Sequence, residues 1–181
     1  MARVPYITRD DLSTDEKRHH GSIVDPRGGR LAAVFSLLLN SPEMAALVGE
    51  VGAYARFRSH IPDDAREIAI ITSARELGCQ YEFTHHVPIG LKAGVRDVVI
   101  EAITAGNTRG LIPQESVYID YTKQIIERRV NDATYTAVEH LLGRKGAVEI
   151  TAVVGYYTML GLSMMALGVE LEDGVEPLLP N

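Results

Sequence analysis

The chain has 181 residues, of which 46% are apolar and 23% charged, a composition typical of a folded globular protein and not of a disordered one. Its net charge of −6 disfavours a general nucleic-acid surface and attachment to anionic membranes, because both need clustered positive charge. A single cysteine excludes an intramolecular disulfide and fits a cytoplasmic location. No apolar stretch of signal-peptide length occurs at the N-terminus.

The predicted elements begin after a polar N-terminal segment. Residues 1–28 contain glycines and prolines among polar residues, so we predict an extended lead-in with one short helix after Asp10. The pair His19 and His20 in this segment is predicted to be solvated. Residues 29–181 contain no low-complexity stretch and no long linker, which predicts a single domain.

Two helices are predicted in the next part of the chain. The run 31–39 is apolar and rich in alanine and leucine. Ser41 followed by Pro42 is a favourable helix start, because serine can cap the free N–H groups and proline suits the first helical position. This second helix should continue to about Arg56.

The central part of the sequence predicts two adjoining helices. Pro62 followed by the acidic residues Asp63 and Asp64 favours a helix start. This helix should run to Leu77 and end at Gly78. The stretch 79–93 is predicted as the next helix, with Pro88 expected to kink it or end it early.

The C-terminal part predicts further helices. Three of them cover 96–105, 113–130 and 132–142, and Gly143 ends the third. A last apolar helix follows at about 145–169. Alternating patterns typical of strands are scarce. The predicted fold class is therefore all-α, a helical bundle.

The apolar stretch Ala147–Val169 is long enough to span a membrane. It contains Glu149 and several hydroxyl groups, and a carboxylate is costly in lipid. We therefore interpret it as a buried core or interface helix. Tyr156 and Tyr157 recur with methionines at helical spacing and are interpreted as core or interface packing.

The chemically informative residues lie at the junction of the two central helices. Cys79, Glu82 and His86 are spaced by three and four residues, which places a thiol, a carboxylate and an imidazole on one helix face. His85 lies three residues after Glu82 and can flank this face. At the start of its helix, Cys79 is expected to favour the thiolate. A pair of His86 with Glu82 can move protons near neutral pH.

Glu67 is a second unusual residue, since it lies among isoleucines and alanines on the preceding helix. A buried carboxylate without a cationic partner has a raised pKa and can hold a proton near pH 7. The break at Gly78 lets the two helices fold back, so that Glu67 can face the Cys79–His86 stripe. Alternatively, Glu67 pairs with a basic neighbour such as Arg66 or Arg75.

Less specific interpretations remain open for the same residues. Glu82 and His86 can form an exposed helical pair, and a lone cysteine is most often a small buried apolar residue. Zinc is a further alternative, since Cys79, Glu82, His85 and His86 are suitable ligand types. Adjacent histidines on a helix point about 100° apart, however, which disfavours their binding one ion. No metal site is therefore assigned.

The stretch 66–86, which reads R-E-I-A-I-I-T-S-A-R-E-L-G-C-Q-Y-E-F-T-H-H, resembles the core of the carboxymuconolactone decarboxylase family, which includes alkyl hydroperoxidase D. Flanking segments resemble the same family, namely L-L-L-N-S-P-E-M-A upstream and V-V-G-Y-Y-T-M-L-G downstream. The similarity runs from about Arg30 to Glu172. It implies an all-α fold of the alkyl hydroperoxidase D type and a homo-oligomer, commonly a trimer or hexamer, with no cofactor.

The resemblance also implies roles for individual residues. Glu67, Cys79 and His86 match the glutamate, first cysteine and histidine of the peroxidase motif. Glu82 stands where that motif has a second cysteine, and a disulfide-cycling peroxidase needs two thiols. The pair Tyr81 and Glu82 instead resembles the non-redox branch of the family.

For that branch the implied activity is a lyase or isomerase reaction on a small carboxylated or lactone metabolite, as in aromatic-compound catabolism. His86 would be the general acid and base, Glu82 would orient it, and Glu67 would hold a proton. Cys79 would form a pocket wall or a secondary proton group. Tyr81, Arg75 and His85 are assigned to substrate binding, the latter two as cations for a substrate carboxylate.

Two other functions are compatible with the sequence. One is a single-cysteine peroxidase, an antioxidant protein in which an external thiol resolves Cys79. The other is a non-catalytic oligomeric binding protein, which would be favoured if Glu67, Glu82 and His86 pointed to separate solvent-facing surfaces.

Overall fold

The computed structural model describes residues 2–180, and no strand occurs among them. The first helices are α1 (Lys17–Val24), followed by a 3-10 turn at Asp25–Arg27, α2 (Ala33–Leu38) and α3 (Pro42–Phe57). The middle of the chain forms α4 (Asp63–Leu77), α5 (Gln80–Lys92) and α6 (Asp97–Ala105). The last helices are α7 (Pro113–Ile126) and α8 (Asp132–Leu167). The predicted all-α class is confirmed.

Contacts divide the described residues into two compact units. One holds residues 2–58 and 163–170, and the other holds residues 59–162 and 171–180. The division does not coincide with the boundary predicted at residue 28. The division is one of contact density and does not define domains. The single domain predicted over residues 29–181 therefore stays a prediction.

In the first unit, α1 is the short helix expected after Asp10, and it packs on α3. Gly49 makes this contact possible, because a Cβ at this position would lie 3.0 Å from the Ile23 side chain and 3.6 Å from the Phe35 ring. The N-terminal segment is fixed by a hydrogen bond from the Ile7 N–H to the Ser36 carbonyl at 3.0 Å.

In the second unit, α4 is the central helix and packs against α5, α6 and α7. Its residues from Ala65 to Ala74 are all buried. This burial explains why α4 is apolar around most of its circumference, and it makes the polar side chains on α4 conspicuous.

Helix α8 contains the break predicted at Gly143. This glycine has φ 70° and ψ 170°, which is not helical, so two helical arms follow one another within Asp132–Leu167. Within residues 2–180, α8 is the helix whose length and apolar composition would allow it to cross a membrane. That is a weak indication of a membrane span, because core helices of soluble proteins share both features.

Candidate functional site

The turn between α4 and α5 brings their side chains together. Gly78 ends α4 in the left-handed conformation, with φ 68°. The N–H of Cys79 donates to the Ala74 carbonyl at 2.9 Å and the N–H of Gly78 to the Arg75 carbonyl at 3.1 Å, the pattern of a Schellman C-cap. The chain reverses there and α5 begins one residue after Cys79.

His86 lies between two carboxylates in this reversed pair of helices. Its Nδ1 is 2.7 Å from Oε2 of Glu67 on α4, and its Nε2 is 3.1 Å from Oε1 of Glu82 on α5. The exposed fraction is 5% for His86, 1% for Glu67 and 5% for Glu82. The predicted approach of Glu67 to His86 is therefore present, and we call these three residues the His86 cluster.

The geometry of the cluster favours a protonated imidazole. A neutral imidazole has one N–H, whereas both ring nitrogens of His86 face carboxylate oxygens. Burial by itself lowers the pKa of His86, but the hydrogen bonds and charges of Glu67 and Glu82 outweigh it and raise the pKa from 6.5 to about 9. His86 is therefore an acid that keeps its proton at neutral pH.

Arg66 adds a second cation beside Glu67. Its Nε lies 3.6 Å from Glu67 Oε1, and its terminal nitrogen pairs with Asp63 at 2.7 Å. We expected Glu67 to hold a proton if its carboxylate had no cationic partner. Because Arg66 and His86 both lie beside it, this condition is not met. With Arg66 and His86 charged, the two buried carboxylates are balanced, as buried charges in proteins must be. The Nε of Arg66 is itself buried and has no hydrogen-bond partner among residues 2–180.

Tyr157 on α8 completes the surroundings of His86. Its ring meets the imidazole edge to face, with ring centroids 5.2 Å apart and an interplanar angle of 81°. Tyr156 packs against Tyr157 in the same manner at 5.3 Å. The sequence indicated only packing for these tyrosines. Their apolar surroundings gave no signal that one of them would contact the candidate acid.

Cys79 does not have the thiolate character predicted for it. The residue is 2% exposed, and burial raises the pKa of its thiol from 9.0 to about 11. The Glu82 charge adds to this rise, while backbone N–H groups at the start of α5 oppose it. The prediction of a thiolate was wrong because desolvation outweighs the favourable helix N-terminus.

His85 and Tyr81 belong to another cluster on α5. Nε2 of His85 lies 3.0 Å from Oε2 of Glu172, and the Tyr81 hydroxyl donates to Oε1 of the same carboxylate at 3.0 Å. The two rings stack with centroids 4.1 Å apart. Sequence reasoning missed Glu172, since nothing in the C-terminal segment indicated that it folds back on α5.

Arg75 is also engaged away from the His86 cluster. Its Nε donates to the Thr104 carbonyl at 3.1 Å, near the C-terminal end of α6. Arg75 lies eight residues after Glu67, about 12 Å along the axis of α4. The geometry therefore gives no support to Arg75 or His85 as cations for a substrate, and these two assignments stay predictions.

No group of three or more His, Cys, Asp or Glu side chains within residues 2–180 has an arrangement that could hold a metal ion. Neither ring nitrogen of His86 is available as a metal ligand, because each faces a carboxylate. The residues that meet at this site place one imidazole between two carboxylates, an arrangement that can bind and release a proton.

Solved structures with the same fold define the class of the molecule. The chain aligns with an alkylhydroperoxidase AhpD core, an uncharacterized peroxidase-related protein from Ralstonia eutropha JMP134, with a TM-score of 0.77 and 16% identity, covering 97% of both chains. It also aligns with the debrominase Bmp8 in its apo form, with a TM-score of 0.75 and 16% identity over 94% of this chain and 92% of that one. The fold is thus of the AhpD type.

A ligand complex of Bmp8 also aligns with this chain over most of its length. This cysteine-to-alanine variant, bound to 2,3,4-tribromopyrrole, aligns with a TM-score of 0.76 and 14% identity over 96% of this chain and 95% of that one. No curated protein sequence matches the chain significantly.

The sequence comparison then identifies the family. Residues 42–116 match the carboxymuconolactone decarboxylase family, a segment that contains the whole His86 cluster. The resemblance predicted from the sequence is confirmed for residues 42–116, which match the model of that family.

Proposed function

We propose that the protein is a cofactor-independent lyase or isomerase that acts on a small carboxylated or lactone metabolite, with His86 as its proton donor. The observation that supports this most directly is the position of His86 between Glu67 and Glu82, buried and holding its proton. Strongly shifted pKa values at buried, charge-paired residues are typical of catalytic acids. The family match to residues 42–116 supports the same class of reaction.

A decarboxylation makes two demands that such a cluster can meet. The bond to the carboxylate carbon breaks, carbon dioxide leaves, and the electron pair enters the lactone carbonyl as an enolate. The enolate needs positive charge nearby, and its carbon then needs a proton. His86 as an imidazolium can provide both through Nε2, because its contact with Glu82 at 3.1 Å is the longer of the two and would be exchanged for the substrate. Water later restores the proton. Glu67 and Glu82 keep it oriented and charged between turnovers.

The test is a panel of small lactones and carboxylated metabolites, with loss of substrate and release of carbon dioxide as readouts. We expect His86→Gln to lower kcat by about 100-fold to 10,000-fold, the range for loss of a general acid. Glu67→Gln and Glu82→Gln should shift the pH profile of kcat to lower pH, because each removes a charge that holds the proton on His86. Turnover of His86→Gln equal to that of the wild type would refute the proposal.

Cys79→Ser is the matched control for this panel. It changes a neutral thiol to a neutral hydroxyl beside Glu82, so turnover by an acid–base mechanism should stay within a few-fold. A loss as large as that of His86→Gln would show that the thiol takes part in the chemistry.

The second candidate function is thiol chemistry at Cys79. It is supported by the AhpD-type fold shared with a peroxidase-related protein, and by Bmp8, whose complex with a brominated pyrrole was obtained with a cysteine-to-alanine variant. Peroxide and a brominated pyrrole, each with an external thiol as reductant, therefore belong in the panel. Consumption of either that is lost in Cys79→Ser would favour this function. Side chains of Glu67, Glu82 and His86 on separate solvent-facing surfaces would have favoured the non-catalytic alternative, and these side chains instead meet in one buried cluster.

A further inference from the structure

One face of α3 is apolar and open to solvent. The opposite face packs within its own unit through Ala45, Val48 and Gly49, which are buried. The open face carries five large apolar side chains that are each between 40% and 56% exposed, namely Met44, Leu47, Val51, Tyr54 and Phe57. Single exposed apolar residues are ordinary, whereas a continuous row over the length of a helix marks an interaction surface. We call this row the α3 stripe.

The spacing of the α3 stripe is that of a helix–helix seam. Met44, Leu47, Val51 and Tyr54 follow one another by three, four and three residues. These intervals average about 3.3 residues, and Phe57 follows after three more. The spacing is close to the 3.5-residue repeat by which two helices pack side by side along their length. The natural occupant of such a stripe is therefore another helix with the same spacing.

A groove runs beside the α3 stripe. It has a volume of about 660 Å³, and its far wall is formed by His19, Ser22 and Pro26 from α1 and the turn that follows it. Its near wall includes Leu47 and Phe57 of the α3 stripe. An amphipathic helix laid into such a groove buries its apolar face against both walls.

The charges at the two ends of α3 indicate which helix fits. Glu43 lies in the first turn, and Arg58 follows the last turn, where its guanidinium leans over the Tyr54 ring at 5.3 Å. Both line the groove, and neither has an ion-pair partner within residues 2–180. A second α3 in antiparallel orientation would place its arginine end beside Glu43 and its glutamate end beside Arg58. A parallel one would place like charges together.

We propose that the α3 stripe is a two-fold interface at which the α3 helices of two copies of this chain pack antiparallel. The Met44–Leu47 end of one helix meets the Tyr54–Phe57 end of the other, and two Glu43–Arg58 pairs close the ends. The contact is isologous, so each copy contributes the same surface and the assembly closes. Opposed helix dipoles favour the same antiparallel orientation.

A second apolar stripe, on α8, is the competing surface. Val148, Met159 and Leu162 are 63%, 41% and 52% exposed, and small residues lie between them. No charged residue occurs between Glu149 and Glu170, so no charge on α8 beside Met159 and Leu162 orients a partner there. If this α8 surface and not the α3 stripe holds the copies together, Val148→Glu will reduce the number of copies and Leu47→Glu will not.

The test measures the mass of the full chain by light scattering and native mass spectrometry over a range of concentrations. We expect the wild type to contain an even number of copies, and Leu47→Glu to halve that number. Val148→Glu, a matched substitution on α8, should leave the α3 pair intact. The proposal would be overturned by a wild type that is monomeric at about 100 μM, by a wild type with an odd number of copies, or by a number of copies that only Val148→Glu reduces.

Swapping the charges of Glu43 and Arg58 tests whether these two residues contact each other across the interface. Both are exposed, so their substitution should not destabilise the core. Glu43→Arg and Arg58→Glu should each weaken association by about tenfold or more, because each creates two like-charge contacts. The double variant should restore association to within a few-fold of the wild type. Additive weakening in the double variant, with helical content unchanged by circular dichroism, would refute the antiparallel arrangement.

Discussion

At the scale of single residues, the proton on His86 links folding to pH. The pKa of His86 is raised to about 9 in the folded protein, against 6.5 for an ordinary histidine. Because the folded state binds this proton more tightly, the stabilisation is complete below about pH 6.5 and is lost as the pH rises through about 9. We expect the free energy of unfolding to fall over this interval by on the order of 3 kcal/mol more in the wild type than in His86→Gln.

Urea denaturation of both proteins at intervals between about pH 6 and about pH 10 measures this difference. The glutamine variant lacks the titrating ring, so its residual pH dependence reports all other groups. Parallel curves for the two proteins would show that the cluster does not hold the proton in the folded state.

The two carboxylates should act on the pKa of His86 to different extents. Burial lowers this pKa and the carboxylates raise it, so removal of either charge should move it down. Glu67→Gln should have the larger effect, because its oxygen is 2.7 Å from the ring whereas that of Glu82 is 3.1 Å away. In the double variant only burial remains, and the pKa should fall below 6.5. Nuclear magnetic resonance of the ring nitrogens measures each value, and an unchanged pKa in both single variants would contradict this account.

The thiol of Cys79 should be unreactive in the folded protein. A pKa of about 11 against the usual 9.0 reduces the thiolate fraction at neutral pH by about 100-fold. Since only the thiolate is alkylated, iodoacetamide should label the folded protein at least about 100-fold more slowly than the urea-unfolded chain. Comparable rates would indicate an accessible thiolate and would strengthen the thiol-based alternative for the function.

At the scale of secondary-structure elements, one glycine sets how closely α5 approaches α4. A Cβ at Gly90 would lie 2.8 Å from Cδ1 of Ile71 and 3.5 Å from the Glu67 Cβ. Ile71 is fully buried, so its side chain has little room to move away. At Gly155 on α8 a Cβ would meet nothing within 4 Å.

Alanine at these two glycines should therefore have effects of opposite sign. Gly155→Ala should stabilise the protein by up to about 1 kcal/mol, since alanine is the better helix former. Gly90→Ala has the same gain but overpacks the α4–α5 contact, and we expect a net loss of about 1–2 kcal/mol. Thermal and urea unfolding measure both. Stabilisation by Gly90→Ala would show that the two helices are not in close contact beside Glu67.

Helix positions could be predicted from the sequence where the signals were local. The predicted ends of α3 and α4 agree with the structure to within about a residue, because Pro42 and Gly78 determine backbone conformation directly. Side-chain effects were less predictable. Ser41 makes no capping hydrogen bond with its side chain, and Pro88 lies inside α5 without ending it.

The structure differs from the prediction at the end of α7 and at Pro88 in α5. Helix α7 ends at Ile126 and not near residue 130, and Arg128 there has a positive φ of 60° that no sequence rule assigns to arginine. For Pro88, buried neighbours such as Phe83 and Val87 hold α5 together across the missing hydrogen bond. Tertiary packing decides the case of Pro88. At Arg128, which is exposed, α7 ends in a Schellman pattern in which the Arg129 N–H donates to the Gln124 carbonyl at 2.9 Å, and an arginine at this position is not a local signal for such an end.

At the scale of the whole molecule, the site could be predicted only where its residues lie on neighbouring helices. Glu67, Glu82 and His86 are within 20 positions of one another, and the turn at Gly78 was visible in the sequence. Tyr157 and Glu172 reach α5 from more than 70 positions away along the chain. Helix periodicity says which face of α5 is available, but not which distant segment covers it.

The C-terminal segment that carries Glu172 is held against α5. The Leu178 N–H donates to the Thr84 hydroxyl at 3.1 Å, and Leu179 is buried. Together with the contacts of Glu172, they fasten residues 171–180 to α5. Because a buried leucine and two hydrogen-bonded groups are lost, deletion of residues 171–181 should lower the free energy of unfolding by about 2–4 kcal/mol.

The effect of this deletion should be concentrated in one helix. Amide hydrogen exchange should accelerate in α5 more than in α7, which the segment does not fasten, and the pKa of His86 should stay raised because Glu67 and Glu82 remain in place. Glu172→Gln is the matched control. It removes only the charge of a half-exposed carboxylate, and its cost should be less than about 1 kcal/mol. Exchange in α5 that is unchanged by the deletion would show that the segment lies on the helix without stabilising it.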